Sequence, residues 1–369
     1  MNDKIVMLRG PERVRRRPAV IFGDDGVDGT VAAFNMLLDI LVSGRCNQLM
    51  VTQYLDNSIE IQDNGRGIFF GKGISHWKIL FGELYAAPRG GPIFPERNVF
   101  ERISRKNSGA NPLGFYAVCC ASTYMDVRVN RGVWQYELHF ERGNNKGGLR
   151  KRLRKAPSGT YFRFKLDSEV FSNISIPSRQ IADKLQSIAV QIPGMLTTFR
   201  REAEDGFEET AFCYLDGVAD YLQRENEARE VSSPIYHKEL TAEGQERYNL
   251  PRYAADVKMH VCFAENAGFV KCYHNLKELT CGGTHRDVAI KEIRLRLEWM
   301  LECKIDEEDL LKHLQLIIVT KSEHTEWANG ARTGLQSIFI RDLTRDTIGD
   351  DFHYYVKKNA EFLSALFVN

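Results

Sequence analysis

The sequence predicts an α+β protein built from two domains. Its 369 residues exceed the usual size of one domain, so each part is long enough to bury its own core. Hydrophobic residues make up 43% and charged residues 27%, as in ordinary globular proteins. Helical spacing of apolar residues near the N-terminus is followed by alternating, strand-like segments, and the same mixture returns in the C-terminal third.

The overall charge and the cysteine pattern narrow the class of protein. The net charge is +1, so any nucleic-acid contact has to come from a local basic patch. The 8 cysteines contain no Cys-x-x-Cys pair, which disfavours a zinc site. With no signal peptide and no apolar run of the roughly 20 residues that span a membrane, we expect a cytoplasmic protein with reduced thiols and no membrane contact.

The first domain is expected to begin with a basic cluster and an amphipathic helix. Arginines dominate residues 13–17, and a strand-like apolar run then ends at Phe22. Residues 29–44 place valine, phenylalanine and leucine at helical spacing, and the glycine at the end of this range is a typical helix stop.

The first domain is organised around the end of a predicted hairpin. Its strands are expected from Gln48 to Leu55 and from Ser58 to Gln62. Asp63-Asn64-Gly65 then turns the chain, and glycine lets the backbone approach a ligand closely. A carboxylate at the mouth of such a turn can accept a hydrogen bond from an exocyclic amine such as that of adenine. An ordinary Asx-Gly turn is the competing interpretation.

The remainder of the first domain is predicted to hold a long loop, a short helix and several strands. Repeated glycine and proline in residues 71–107 favour a flexible, lid-like loop, with limited proteolysis expected mainly in 84–107. An apolar helix is predicted from Phe115 to Ala121, and strands follow in residues 123–175. Between these strands, Arg142 to Lys155 is interpreted as a basic loop, either a solvated hairpin or a contact for DNA phosphates.

A second domain is predicted to begin near Asp216-Gly217, which sets the domain boundaries at 1–214 and 215–369. A helix should run from Thr284, its predicted N-cap, to about Leu301. The predicted strands run from Asp256 to Phe263, from Phe269 to Tyr273 and from Leu314 to Thr320.

Five motifs in a fixed order resemble the ATPase region of the DNA gyrase B subunit and of topoisomerase IV. They are Arg13 to Asp24, Asp63 to Ile68, Ser108 to Gly114, Ser158 to Phe164 and Gly282 to His285. The resemblance runs from about Val6 to about Leu343 and points to the superfamily shared by gyrase, heat-shock chaperones, histidine kinases and MutL. It implies a two-layer α/β sandwich of the Bergerat ATPase type, followed by a transducer domain of the ribosomal S5 left-handed β-α-β type.

The resemblance also implies which residues would contact a nucleotide. Asp63 matches the aspartate that binds adenine, and Thr160 matches the threonine that shares a water with it. Arg66 would stack over the adenine, and Arg131 would lie at the edge of the nucleotide and aminocoumarin site. Arg332 replaces a lysine that reaches the γ-phosphate. The other implied nucleotide-binding positions are Gly67, Ile68, Gly109 and Gly114.

Several positions depart from the family pattern where ATP is hydrolysed. The glutamate that polarises the attacking water and the asparagine that holds magnesium correspond to Ala32 and Met36. Pro112 places a residue without a backbone N–H in the phosphate loop. Asp39 would substitute as the base only in a gapped alignment of a shortened first helix. No catalytic residue or metal ligand is therefore assigned, and the pattern disfavours magnesium while it is compatible with ATP or another adenine nucleotide.

These features favour a degenerate gyrase-B-like protein that binds a nucleotide or a smaller ligand and lacks efficient hydrolysis. It would form a homodimer and act as a regulator or decoy, with a topoisomerase subunit or DNA as its partner. No motif of the family's DNA-cleaving domain is found in the sequence. Two alternatives stay open: a slow ATP-dependent clamp that uses Asp39 and Arg332, and a scaffold with an empty pocket that contacts protein or DNA.

Overall fold

The computed structural model describes residues 8, 10–42, 46–68, 77–78, 81, 114–227, 232–329 and 333–368. These residues form two compact units, one ending at Tyr214 and one beginning at Leu215. The first unit is built on a sheet of eight strands and the second on a sheet of five. Both units also contain helices, so the predicted α+β class is confirmed. No helix in the described ranges is long and apolar enough to cross a membrane.

The first unit consists of one large sheet with helices packed against it. Its strands are β1 (Gln48–Gln53), β2 (Ser58–Asp63), β3 (Ser122–Arg131), β4 (Trp134–Glu141), β5 (Asn144–Leu153), β6 (Gly159–Leu166), β7 (Leu196–Ala203) and β8 (Gly206–Phe212). The spatial order is β5-β4-β3-β6-β2-β1-β7-β8, and only β1 and β7 are parallel neighbours. The helices are α1 (Glu12–Arg15), α2 (Pro18–Phe22), α3 (Val27–Val42), α4 (Gly114–Cys120) and α5 (Ser178–Gln191).

One face of this sheet is apolar and forms the core of the first unit. Met125, Val127 and Val129 of β3 are buried, while Arg128 between them is exposed on the opposite face. This alternation follows from the two-residue period of a strand. Helix α3 contributes Phe34, Leu37 and Leu38, which are all almost completely buried.

Two local predictions for the first unit are wrong. The apolar run that ends at Phe22 is helix α2 rather than a strand. Pro18 suits its first turn because an N–H there has no partner in the helix, and Gly23 ends it with a φ of 87°. For the basic segment 142–155 the loop interpretation is wrong, because most of the segment forms β5. This strand pairs antiparallel with β4 at the edge of the sheet, so the alternative of a solvated hairpin fits.

The second unit contains a β-α-β crossover. Its strands are β9 (Tyr236–Gly244), β10 (Tyr253–Phe263), β11 (Phe269–His274), β12 (Lys277–Glu278) and β13 (Leu314–Ser322), in the order β12-β11-β13-β10-β9. The helices are α6 (Val218–Asn226), α7 (Thr284–Leu301), α8 (Glu307–His313), α9 (Ile338–Thr347), α10 (Asp350–Lys358) and α11 (Ala360–Phe367). Strands β11 and β13 are parallel, and α7 and α8 lie between them in the chain.

The start of helix α7 differs from the prediction that Thr284 is its N-cap. Gly283 occupies the cap position, and Thr284 is the first helical residue. The Thr284 hydroxyl instead donates a hydrogen bond to the backbone oxygen of Ser337 at 3.1 Å. Gly283 has a φ of 136°, and a Cβ there would lie 2.1 Å from the backbone oxygen of Leu335. Only glycine therefore fits at this contact.

A buried carboxylate, Glu246, caps helix α9. It accepts hydrogen bonds from the hydroxyls of Tyr253 and Ser337 and from the backbone N–H of Ile338, the last at 2.7 Å. We expect Glu246→Gln to lower the free energy of unfolding of the second unit by about 1.5–3 kcal/mol. This is the usual contribution of hydrogen bonds to a charged group, and the helix N-terminus adds to it.

Urea unfolding, monitored by tryptophan fluorescence, measures this loss of unfolding free energy. Glu239→Gln is the matched control, because Glu239 forms a partly exposed ion pair with Lys258 that should contribute less than about 1 kcal/mol. Equal losses in the two variants would show that Glu246 contributes no more than a surface charge.

Candidate functional site

Asp63 lies at the end of β2, and backbone hydrogen bonds hold its turn on both sides. Its side chain is only 7% exposed. One carboxylate oxygen accepts a hydrogen bond from the backbone N–H of Gly65 at 2.6 Å, which closes an Asx turn. The side-chain oxygen of the next residue, Asn64, accepts from the backbone N–H groups of Asn47 and Gln48. The turn is therefore fastened to the residues that lead into β1.

Thr160 stands beside Asp63 on the neighbouring strand β6. Its hydroxyl oxygen accepts a hydrogen bond from the backbone N–H of Ile68 at 3.2 Å, and the hydroxyl and backbone N–H of Thr160 favour the charged form of the Asp63 carboxylate. Gly159 allows this close approach, because a Cβ there would lie 2.1 Å from the backbone oxygen of Asp63. The fold brings Asp63, Thr160 and Ile68 together.

Arg131 ties the turn to strand β3. Its Nη1 donates hydrogen bonds to the backbone oxygens of Gly67 at 2.6 Å and Arg66 at 3.4 Å. Gly67 has a φ of 74°, and a Cβ there would lie 2.7 Å from the backbone oxygen of Asn130. Partial burial, together with the nearby Arg66 charge, lowers the pKa of Arg131. The turn next to Asp63 is therefore flanked by two arginines.

Aromatic rings form an apolar wall next to Asp63. Ile61 lies two residues before Asp63 on the same face of β2, and it pairs with Phe162 of β6. Phe162 stacks on Phe115 with a centroid distance of 5.1 Å, and Phe81 stacks on Phe115 at 5.0 Å. All three phenylalanines are almost completely buried. Ile61, the neighbour of Asp63 on this face of β2, therefore lies in an apolar cluster.

Burial raises the pKa of Asp63 from 3.8 to about 6, although hydrogen bonds from Gly65 and Thr160 favour the charged form. The folded protein thus holds this proton more tightly than the unfolded chain does. The resulting stabilisation is complete below pH about 4 and is lost as the pH rises through about 6. We therefore expect Asp63→Asn to become more stable than the wild type across this range, by about 3 kcal/mol at neutral pH.

Urea unfolding of both proteins at about pH 4, 6 and 8 tests this dependence. Asp56→Asn is a control with the opposite sign, because hydrogen bonds from Ser58 and the charge of Lys165 outweigh partial burial and lower the pKa of Asp56. That variant should lose stability relative to the wild type only as the pH rises to about 4, and the difference should stay constant between about pH 6 and 8. A stability difference between Asp63→Asn and the wild type that does not change with pH would contradict the assignment.

Helix α3 carries the positions that correspond to the catalytic residues of the resembling family. Ala32 is half-buried and Met36 is buried, and neither side chain has an oxygen. Oδ1 of Asp39 accepts a hydrogen bond from Nζ of Lys184 in α5 at 2.8 Å. The side chain of Asp39 is only 17% exposed, so this ion pair joins α3 to α5 away from bulk water.

Some predicted site residues cannot be placed. Gly109, Pro112, Arg332 and the predicted lid at 84–107 lie outside the described residues, and Gly114 is the first residue of α4. In the ranges that are described, no group of three or more His, Cys, Asp or Glu side chains is placed to hold a metal ion.

The segments on both sides of Arg332 are joined by backbone hydrogen bonds. The N–H of Ala328 donates to the oxygen of Gly334 at 2.9 Å, and the N–H of Cys281 donates to the oxygen of Thr333 at 2.9 Å. The glycine motif that begins at Gly282 therefore lies against the segment that follows Arg332.

Two features of the site were missed by sequence reasoning. Lys184 follows its partner Asp39 by 145 residues, so no local motif links the two. The phenylalanine stack unites Phe81, Phe115 and Phe162 from three separate segments. A contiguous sequence pattern carries no signal for either contact.

The chain is similar to bacterial topoisomerase proteins, although no family model matches it. It is 26% identical over 292 residues to the B subunit of DNA gyrase from Thermotoga maritima, covering 77% of this chain and 44% of that protein. It is 23% identical over 389 residues to the B subunit of DNA topoisomerase 4 from Enterococcus faecalis, covering 99% and 54%. The chain therefore spans about half the length of the curated relatives it matches.

Solved structures show the same fold. The 43K ATPase domain of Thermus thermophilus gyrase B, in complex with an aminocoumarin, matches with a TM-score of 0.65 and 22% identity over 96% of this chain and 92% of that one. The B-subunit of the DNA gyrase from Myxococcus xanthus matches with a TM-score of 0.70 and 16% identity over 96% and 99%. The predicted fold, an ATPase-type sandwich followed by a transducer-type unit, is confirmed. The chain is similar in sequence to gyrase B and topoisomerase IV B proteins, and it has the fold of the gyrase B ATPase domain.

Proposed function

We propose that this protein binds adenine nucleotides, or a smaller adenine-like ligand, and does not hydrolyse ATP efficiently. One observation carries the proposal: the two parts of the candidate site differ in their chemistry. The turn at Asp63 offers a buried acceptor for an amine. Helix α3 offers Ala32 and Met36 where hydrolysis needs a base and a magnesium ligand, and its Asp39 is paired with Lys184.

The adenine part of the site suits a flat heterocycle that carries an amine. Asp63 is ionised at neutral pH because its pKa is about 6, and a carboxylate has room for more hydrogen bonds than Gly65 and Thr160 supply. Few, well-placed polar groups orient a buried heterocycle, and Asp63 with Thr160 would supply them here. These residues fit adenine, so binding is the part of the family's activity that we assign.

The residues at the hydrolytic part of the site do not meet the requirements of ATP hydrolysis. In-line attack by water on a nucleotide needs an orienting base, magnesium and a phosphate cradle. When bound, magnesium would neutralise charge on the phosphates, but Met36 has no hard oxygen to hold it. For Asp39 to act as the base, it would have to leave Lys184 unpaired in a largely buried position, at a cost of about 3–5 kcal/mol. We therefore assign no hydrolytic step to this protein.

We further propose that the protein acts in the cytoplasm as a homodimer and regulates, or serves as a decoy for, a topoisomerase. Support comes from the names of its relatives, which are topoisomerase subunits. Light scattering should give a dimer mass that an adenine ligand stabilises, and the purified protein should bind a gyrase or topoisomerase IV subunit. A monomer under all conditions would contradict the dimer, and no effect on either enzyme's supercoiling or decatenation activity would contradict the regulatory role.

A ligand panel tests the binding function itself. Thermal unfolding with adenosine, ADP and ATP should show an increase in Tm that saturates with ligand concentration, because a ligand that binds only the folded state stabilises it. Asp56→Asn should respond as the wild type does, since Asp56 lies in the turn between β1 and β2 rather than at the site. No shift with any adenine compound would contradict the proposal.

A further inference from the structure

A basic segment without any acidic residue forms one border of the first unit. Residues 142–155 contain seven lysines and arginines and no aspartate or glutamate, although the whole chain has 50 lysines and arginines against 49 aspartates and glutamates. Most of this segment is β5, the edge strand of the eight-stranded sheet. The excess positive charge is therefore concentrated along one edge.

Four cations near the end of β5 are exposed or partly exposed. They are Arg150, Lys151, Arg154 and Lys155. In the described part of the chain none of the four forms an ion pair, whereas Arg152 in the same strand pairs with Glu137 of β4. Arg154 donates to the hydroxyl of Ser158, and the Lys151 ammonium lies 3.9 Å from the centre of the Trp134 ring. These contacts orient the two side chains without neutralising them.

Exposed apolar side chains lie among these cations. Val133 is 64%, Trp134 36% and Leu153 67% exposed. Trp134 pairs with Leu153 across β4 and β5, and the N–H of Arg154 donates to the oxygen of Val133 at 2.9 Å. The β5 patch is defined as Val133, Trp134, Arg150, Lys151, Leu153, Arg154 and Lys155.

We propose that the β5 patch binds single-stranded nucleic acid, a function separate from ligand binding at Asp63. Lysine and arginine attract phosphates, and an exposed aromatic ring stacks on unpaired bases. A duplex keeps its bases stacked inside the helix, so Trp134 favours a single strand over a duplex. Charges on an edge strand also prevent aggregation, but that role does not account for the exposed Trp134 beside them. The segment from Arg150 to Lys155 is about 20 Å long when extended, enough to follow a few nucleotides.

Fluorescence anisotropy with a labelled oligothymidylate of about 20 nucleotides tests the proposal. We expect saturable binding at about 0.1 M salt, tighter than to a duplex of the same length. The logarithm of the association constant should fall with the logarithm of salt concentration at a slope of about −2 to −3. Each phosphate contact is expected to contribute about 0.7 to the size of this slope, and the patch offers four cations.

The triple variant Arg150→Gln, Arg154→Gln, Lys155→Gln should weaken binding at least about tenfold and make the slope shallower by about 2. Trp134→Leu should weaken single-strand binding about fivefold or more and leave duplex binding unchanged, because only unpaired bases stack on the ring. Thermal unfolding of each variant shows whether it is folded before its affinity is compared.

The matched control removes the same charge from exposed cations elsewhere. It is the triple variant Arg179→Gln, Lys304→Gln, Lys312→Gln, whose side chains are 92%, 94% and 53% exposed. Binding by this control should equal that of the wild type. An equal loss in the control would overturn the assignment to the β5 patch, because net charge alone would then explain it.

Three other results would overturn the proposal. They are no oligonucleotide binding at about 0.1 M salt, duplex binding as tight as single-strand binding, and binding to phosphatidylserine vesicles without oligonucleotide binding. The last would assign the patch to a membrane surface. Adenine-ligand binding should be unchanged in the triple variant of Arg150, Arg154 and Lys155. A failure of the nucleic-acid proposal therefore leaves the proposed function at Asp63 untouched.

Discussion

Steady-state ATP hydrolysis by this protein is expected to be at least about a hundredfold slower than by active relatives. A single general base contributes about 10²–10⁴ to such a rate, and Ala32 offers no proton acceptor. Met36 adds the loss of a magnesium ligand. Asp39, which could substitute as the base, accepts a hydrogen bond at Oδ1 from Nζ of Lys184 at 2.8 Å.

A phosphate-release assay of the wild type beside Asp39→Asn checks this expectation. Asparagine keeps the shape of Asp39 and removes its basicity, so the two proteins should release phosphate at the same background rate with magnesium present. Lys184→Met is a companion variant that frees Asp39 from its partner, and it should not create activity. Robust magnesium-dependent hydrolysis that disappears in Asp39→Asn would instead establish Asp39 as the base.

Asp63→Asn is expected to weaken the binding of adenosine and of adenine nucleotides by about ten- to a hundredfold. A hydrogen bond accepted by a charged group in a partly dry site contributes about 1.5–3 kcal/mol, and about 1.4 kcal/mol corresponds to a factor of ten. The carboxylate is only 7% exposed, so water compensates little for its loss. An asparagine amide can also present its NH₂ to the ligand amine, which removes the acceptor altogether.

Calorimetric titration at about pH 7.5 measures this change, with Asp56→Asn as the control that should retain full affinity. The same Asp63→Asn substitution is expected to stabilise the fold at this pH, since burial raises the pKa of Asp63 to about 6. Lower affinity in a more stable protein cannot result from unfolding. Unchanged affinity would show that Asp63 serves only the turn that it closes with Gly65.

The elements that could be predicted from the sequence are those with a clear period or a contiguous motif. The hairpin of β1 and β2 and the apolar strand β13 lie close to their predicted positions, because alternation and apolar runs are local signals. Helix α2 was mistaken for a strand because its five residues, Pro18–Phe22, are too few to display a helical period. Strand β5 was mistaken for a loop because lysine, arginine, asparagine and glycine disfavour strands, and its pairing with β4 overrides that preference.

In the candidate site, too, local motifs could be predicted from the sequence and tertiary contacts could not. The Asx turn at Asp63 and the glycine at Gly159 belong to short motifs, so both could be identified from sequence. The burial of Asp63 could not, because it depends on Thr160 and other segments that the fold packs around the turn. The pairing of Asp39 with Lys184 is likewise a product of tertiary packing. The turn at Asp63 is therefore a local signal, whereas the burial of Asp63 and the ion pair of Asp39 follow only from the fold.

Titration calorimetry with an adenine nucleotide, with and without magnesium, tests the central claim of binding without turnover most directly. Phosphate release is measured in the same samples, and Asp63→Asn is titrated in parallel. We predict a saturable heat in the wild type that magnesium changes little, a much weaker heat in the variant, and no phosphate release above the blank. Tightening by magnesium accompanied by phosphate release would contradict the claim, and so would the absence of any binding heat.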